Sequence, residues 1–185
     1  LVFGPMTSTA DAGISMGTVL VTAQDAVGNT VTSFTGAVTV AIGNNPGAST
    51  LSGTLTRTAV AGVATFNDLS LEKKGASYTL TASATGLTGG TSAAFNVAPR
   101  APTGLSIVSG NGQTAAAGSQ LSVITVRLRD AFNNSIDGAS IAFAVTGGGG
   151  TLSSASAVTD ADGIARAFWT IGGGPQTMTA TFTGL

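Results

Sequence analysis

The sequence contains no cysteine and no histidine. Without cysteine no disulfide staples the fold, and without either residue no Ser-His-Asp or Cys-His nucleophile can be assembled. Zinc sites of the usual ligand sets are excluded for the same reason. Charge is scarce as well: 7 Lys and Arg face 8 Asp and Glu, 8% of the chain, for a net charge of −1. Nucleic acid needs a basic stripe to replace phosphate counterions, and a polybasic membrane contact needs the same, so neither partner is expected. No run of about 18 apolar residues occurs, hence no membrane span is expected. No window sustains apolar spacing at i, i+3, i+4 and i+7, which leaves little or no helix. The chain opens at Leu1 without the charged and apolar regions of a signal peptide, and is expected to be a piece of something longer.

What is abundant is glycine, 27 residues, together with Thr and Ser. That composition favours many short strands joined by turns. The solvent faces must then be built from Thr, Ser, Asn and Gln, a surface weakly protected against association. Such faces suit a Thr-rich extracellular repeat, or faces that pack in an array or fibre.

The chain uses one stretch twice. Gln24-Asp25-Ala26-Val27-Gly28-Asn29-Thr30-Val31 recurs as Arg129-Asp130-Ala131-Phe132-Asn133-Asn134-Ser135-Ile136. Ala12-Gly13 and Ala117-Gly118 precede it, Thr50-Leu51-Ser52 and Thr151-Leu152-Ser153 follow it, and Thr79-Leu80-Thr81-Ala82 matches Thr177-Met178-Thr179-Ala180. The order is kept while the offset shrinks in small steps, as when only loop lengths differ. Two domains of about 90 residues follow, each large enough for its own core.

Alternation assigns the faces. Val19, Val21 and Ala23 match Ile124, Val126 and Leu128 and point inward; Leu20, Thr22 and Gln24 match Thr125, Arg127 and Arg129 and point outward. Further strands are predicted at 1–3, 36–42, 49–58, 92–97, 138–145 and 151–158, with Tyr78, Leu80, Ala82 and Ala84 inward on another, matched by Gln176, Met178, Ala180 and Phe182. The second copy ends before any counterpart of 92–97. Between the copies, Pro99 and Pro102 favour an extended, semi-rigid joint.

Taken together, Arg129-Asp130-Ala131, the run Gly147-Gly148-Gly149-Gly150-Thr151-Leu152-Ser153 and Thr159-Asp160-Ala161-Asp162-Gly163-Ile164-Ala165 resemble bacterial immunoglobulin-like domains of the invasin/intimin type. The first copy resembles a related repeat through Asp25-Ala26-Val27-Gly28-Asn29 and Gly62-Val63-Ala64-Thr65-Phe66. The resemblance implies β-sandwiches found in tandem on bacterial surface and secreted proteins, with no catalytic residue. The expected class is all-β: two tandem Ig-like sandwiches, 1–98 and 103–185, joined by a short Pro-containing linker, the second lacking its last strand. Seven or so alternating strands per copy agree with a sandwich. Tyr78 is placed to act as a tyrosine corner, a device that Gln176 removes from the second copy.

Chemistry is otherwise thin. Asp160 and Asp162 form the only close carboxylate pair, on an Asp-Gly turn whose glycine suits a positive φ. They lack the third acid and terminal Glu of an EF-hand loop, and Asp25, Asn29, Asp130, Asn133 and Asp137, which could supply a few oxygens to calcium, are expected instead to hydrogen-bond their own turns. The second copy has no lysine, so it forms no Lys–Asn isopeptide bond. Trp169 shares the inward parity of Ala165 and Ala167, whereas Phe168 points outward beside Arg166.

The expected protein is a non-catalytic extracellular or cell-surface module without cofactor or metal: a spacer, stalk or fibre-forming repeat. Its partners are neighbouring Ig-like domains or copies of itself, joined head to tail if a strand such as Leu1-Val2-Phe3 fills the open edge of the second sandwich. The alternative is an adhesin or carbohydrate-binding module recognising a host-cell or glycan ligand through Arg166 and Phe168.

Overall fold

A computed structural model describes residues 1–185. It contains strands and no helix, and divides into two compact units, Leu1–Pro99 and Arg100–Leu185. Accordingly, no helix is long and apolar enough to cross a membrane.

The first unit holds β1 (Val2–Phe3), β2 (Thr9–Asp11), β3 (Val19–Thr22), β4 (Ala37–Ile42), β5 (Thr56–Thr58), β6 (Val63–Phe66), β7 (Gly75–Tyr78), β8 (Leu80–Ala84), β9 (Leu87–Thr91) and β10 (Phe95–Ala98). They form three sheets, ordered β1-β3-β6, β2-β10-β7 and β5-β4-β8-β9. The second unit holds β11 (Gly104–Ser109), β12 (Ile124–Arg129), β13 (Ser140–Gly147), β14 (Gly150–Leu152), β15 (Ser156–Val158), β16 (Ile164–Ala167), β17 (Trp169–Ile171) and β18 (Thr177–Thr181). Its sheets run β11-β12-β16, β15-β13-β18 and β14-β17.

The period-2 pattern puts each core where alternation places it. In β4, Val38 and Val40 are buried while Thr39 and Ala41 are exposed. Across the sandwich Val19, Val21, Ala64 and Phe66 are buried on β3 and β6. The second unit packs Val126, Leu128, Ala165 and Ala167 against Ile141 and Phe143. This is burial of two inner sheet faces, the main favourable term for such a fold. One outward position departs from the pattern: Thr125 is buried.

Three predicted strands are broken in the structure, each where the chain passes from one sheet to another. The stretch 151–158 divides into β14, paired with β17, and β15, paired with β13. Between them the Ser153 N–H donates to the Phe168 carbonyl, and the Ser154 hydroxyl donates to the Ser156 carbonyl, so polar side chains and turns end one ladder before the next begins. In 49–58, Ser52 bridges to Ser70, and only Thr56–Thr58 joins β4. Gly53 makes that crossing possible: its φ is 108°, and a Cβ there would lie 2.4 Å from the Asp68 carbonyl oxygen. Likewise Tyr78 ends β7 against β10, whereas Leu80 begins β8 against β4. Both face inward, so alternation reads straight across the switch.

Sequence reasoning missed β2 and β9. Thr9-Ala10-Asp11 carries no apolar alternation, and it pairs in parallel with β10 from the far end of the unit. Leu87–Thr91 is mostly Thr and Gly; it pairs with β8, and Gly90 lies so close to Leu1 that a Cβ would sit 2.3 Å from the Leu1 carbonyl oxygen.

Candidate functional site

Three acidic loops share one geometry. Asp25 Oδ1 accepts from the N–H groups of Val27 and Asn29, and its Oδ2 accepts from the Asn29 side-chain amide. Asp130 repeats this with Phe132 and Asn134, and adds the Arg100 N–H at 3.0 Å. Asp160 Oδ1 takes the N–H groups of Asp162 and Ile164, while Oδ2 accepts from Arg166 at 2.8 Å. The residue in the fourth place takes a left-handed conformation in each: φ is 92° at Gly28, 66° at Asn133 and 72° at Gly163.

These donors hold the carboxyls below their ordinary range. For Asp25 the main causes are the backbone and then the side chain of Asn29; for Asp160 they are the Arg166 side chain and then the Ile164 N–H. Burial pushes the Asp130 carboxyl up, but the Asn134 amide and the backbone N–H groups of Arg100, Asn134 and Phe132 outweigh it. The carboxylate oxygens are thus committed to their own turns, and no group of three or more acids gathers to hold a cation.

Arg166 and Phe168 lie on the outward parity of neighbouring positions. Arg166 is anchored to Asp160, and Phe168 is 45% exposed. Leu1, Val2 and Phe3 lie in the other unit. There Val2 pairs with Thr22 and Phe3 with Val21, and the Leu1 nitrogen donates to the Thr88 carbonyl at 2.8 Å. This segment is already a strand of its own sandwich.

Tyr78 closes the corner expected of it: its hydroxyl donates to the Lys73 carbonyl at 2.8 Å, and burial raises the phenol above its ordinary value. Its ring stacks on Phe95 at 6.0 Å between centroids. Gln176 occupies the matching place in the second unit and instead donates its amide to the Gly148, Gly173 and Gly174 carbonyls.

The larger feature is an opening on one side of the second unit. Hydrogen bonds establish which residues correspond. Gly13 and Met16 donate to the Leu71 and Leu69 carbonyls, as Gly118 and Leu121 do to those of Ile171 and Trp169. Leu80 pairs with Ile42 as Met178 does with Val145. Residues 114–116 therefore match β2, and 173–176 match β7. In the first unit β10 lies between those two strands; in the second, neither segment has a ladder partner. A cavity of about 500 Å³ lies there, lined by Thr114, Ala115, Leu121, Trp169, Gly174 and Met178 among others. A second cavity of about 250 Å³ follows the seam between β11 and β18, bounded by Leu105, Ile107, Val126 and Ala180. In the first unit β9 covers the corresponding edge.

Burial records the difference. Ala12 is fully buried but Ala117 is exposed, and Leu80 is buried where Met178 is half-buried. The buried Trp169 indole Nε1 has no hydrogen-bond partner. The sequence signal for this opening was the missing counterpart of 92–97; its lining was not legible, because 114–116 and 173–176 carry no apolar alternation.

Residues 105–184 match the model of the bacterial Ig-like domain (group 1). No curated protein matches the chain. Among solved structures, FdeC, an adhesin of Escherichia coli, is 25% identical with a TM-score of 0.57, over 99% of this chain and 58% of that one. The D0-D1 domain of intimin is 19% identical over 96% of this chain and 88% of that chain, TM-score 0.38. Invasin, a bacterial integrin-binding protein, is 21% identical over 98% and 35%, TM-score 0.44. The chain spans little more than half of the FdeC structure and about a third of the invasin one. The chain is built of two Ig-like β-sandwiches, and the second of them is similar to the bacterial Ig-like domain (group 1) over residues 105–184.

Proposed function

We propose that the chain is a non-catalytic structural module of a bacterial surface or secreted protein, a spacer or stalk working outside the cell. The observation that carries this is the likeness to FdeC, which extends over both sandwiches. The chemistry agrees with it. His and Cys are absent, and the Asp25, Asp130 and Asp160 carboxylates are spent on loop closure. Each unit carries its own core, so the module resists extension by shearing or peeling β-ladders, and neighbouring Ig-like domains or further copies of the chain are its partners.

An adhesin reading is favoured by one feature, the exposed Phe168 beside the anchored Arg166. Exposed aromatics of this kind anchor interfaces when they cluster.

Single-molecule stretching of the chain, paired with binding of chain-coated beads to epithelial cells and glycans, separates the two. A spacer unfolds in two force-resisting steps and gives no saturable adhesion. Saturable adhesion abolished by Phe168→Ala would instead establish the adhesin, and extension without force peaks would remove the spacer reading.

A further inference from the structure

Every arginine on a strand of the second unit lies on one side of one sheet. Arg127 and Arg129 alternate outward along β12, and Arg166 points outward on β16. In the ladder Arg127 pairs with Ile164 and Thr125 with Arg166, so the two arginines take opposite corners of a four-residue square, about 7–8 Å apart. Thr125 and Ile164 hold the other corners and form its floor; both are buried although alternation turns them away from the core. The first unit shows what closes them in. Leu20 holds the place of Thr125 there, and it is exposed among Thr22, Thr65 and Gly4. Around Thr125 stand Arg127, Arg166 and the bulged Val108-Ser109 of β11 instead.

Polar groups of the square are left without partners. The Thr125 hydroxyl makes no hydrogen bond although the residue is only 7% exposed. Arg127 has neither a side-chain hydrogen bond nor an ion pair, and its buried Nε is unsatisfied. Arg166 is held differently. Asp160 accepts from it at 2.8 Å and also accepts the Ile164 N–H, so this bond draws the Arg166 guanidinium toward the row that Arg127 occupies. Arg129 donates to the Asn133 side chain. Arg127, Arg129 and Arg166 thus face Asp160 and Asp162 at the rim, a surplus of one positive charge. Phe168, exposed two residues beyond Arg166, adds an apolar platform.

We infer that this face of the second unit binds a sulfated glycan. One sulfate ester lies over Thr125, taking N–H donors from Arg127 and Arg166 and the Thr125 hydroxyl from beneath. A planar carboxylate is served by one guanidinium fork, whereas donors from two corners and from below suit a tetrahedral oxyanion. The single negative charge of a sulfate ester equals the local surplus; a phosphate monoester, at about −1.5 to −2, exceeds it. The sugar ring that carries the ester rests against Phe168. Arg129 meets a second anionic group about 7 Å along β12 from Arg127. The first unit has no such site, since Thr22, Gln24 and Thr65 stand where Arg127, Arg129 and Arg166 do. This inference rests on the adhesin reading, which it deepens by naming the class of ligand, and it is independent of the spacer reading.

The probe is a heparin octasaccharide, titrated calorimetrically into the 185-residue chain at physiological salt. Its desulfated form, a hyaluronan octasaccharide that carries carboxylates only, and a DNA octamer serve as comparisons. The expected result is saturable binding of the sulfated saccharide, weakened at least about tenfold by desulfation and by Arg127→Gln. Arg127→Lys keeps the charge without the fork and is expected to restore binding only in part. Thr125→Val removes the unpartnered hydroxyl at nearly constant shape. It is expected to weaken binding about threefold to tenfold with no loss of stability in denaturant, an outcome that a merely structural role would not give. Lys74→Gln removes an equal charge from the first unit and should leave binding unchanged. No binding at millimolar saccharide overturns the inference, and so does equal binding of hyaluronan or DNA. Equal losses for Lys74→Gln and Arg127→Gln would place the effect in overall charge and overturn it too. Cell adhesion abolished by Phe168→Ala but indifferent to desulfation of the cell surface would remove the sulfate site and leave the adhesin standing.

Discussion

Asn134 holds Asp130 at two points, its backbone N–H on Oδ1 at 2.8 Å and its side-chain amide on Oδ2 at 2.9 Å. Both residues are buried, and the Arg100 and Phe132 N–H groups complete the shell around the carboxylate. Removing the acceptor would strand these donors, so Asp130→Ala is expected to cost on the order of 2–4 kcal/mol. Asp25→Ala, in the matching loop of the first unit at an exposed position, should cost less. Denaturant titration followed at Trp169 and at Tyr78 measures each in its own unit.

The same loop makes stability depend on acid. The folded Asp130 carboxyl lies below its ordinary value of 3.8, so the folded state binds the proton less readily than the unfolded one. Its contribution is complete above the unfolded value and is lost as pH falls through the depressed folded value. The second unit is therefore expected to hold constant stability down to about pH 4 and to weaken below it. Asp130→Asn should flatten that part of the profile, and an unchanged acid limb would show that other carboxyls dominate.

Each unit carries its own optical reporter: the single tyrosine is Tyr78 in the first and the single tryptophan is Trp169 in the second. Leu69 and Leu71 are sealed at 0% and 2% exposure, while their counterparts Trp169 and Ile171 stand at 5% and 8% beside the opening. The core of the first unit holds 18 buried apolar residues and that of the second 11, so less apolar area leaves water on folding in the second unit and its transition should come first. Trp169 emission is expected to change at lower denaturant than the Tyr78 signal, and coincident transitions would contradict this ordering.

How far the sequence carried this reading depends on the kind of signal. Val19, Val21 and Ala23 with Ile124, Val126 and Leu128 were assigned inward from alternation and repetition alone, and all six are buried. Trp169 and Phe168 were separated correctly by parity, at 5% and 45% exposure. Alternation reports which face a residue takes, however, and not which sheet it belongs to. That is why the sheet changes at Thr79 and near Ser153 were illegible. Thr9–Asp11 was missed because its strand is defined by a partner, β10, more than eighty residues away in sequence. The opening depends on two such partner-defined segments, and neither has an apolar pattern of its own.

Calcium is expected to leave the chain unchanged. Each of the three turn aspartates already accepts two or more N–H donors, and binding a cation would require breaking those bonds without a third acid nearby to compensate. Melting in millimolar calcium and in chelator should agree within about 1 °C. A rise that saturates with calcium would identify a site that these loop geometries do not account for.

Two glycines of the second unit separate backbone strain from close approach. Gly138 and Gly163 have nearly the same left-handed backbone, φ 73° and 72°. A Cβ at Gly138 would meet nothing within 4 Å, whereas one at Gly163 would fall 2.5 Å from the Leu128 carbonyl oxygen and 3.1 Å from the Ile136 nitrogen. Those are main-chain atoms of β12 and of the loop that follows it, against which the Gly163 turn packs, and they cannot swing aside as a side chain would. Gly138→Ala therefore carries only the left-handed penalty, about 1–2 kcal/mol. Gly163→Ala adds overpacking against the backbone and is expected to reach about 2–5 kcal/mol. It should also disturb the Leu128 N–H bond to the Gly163 carbonyl, now 2.8 Å, and hence the β12–β16 ladder. Paired denaturation curves read through Trp169 decide the matter: equal losses would place the whole cost in φ and none in the contact with Leu128.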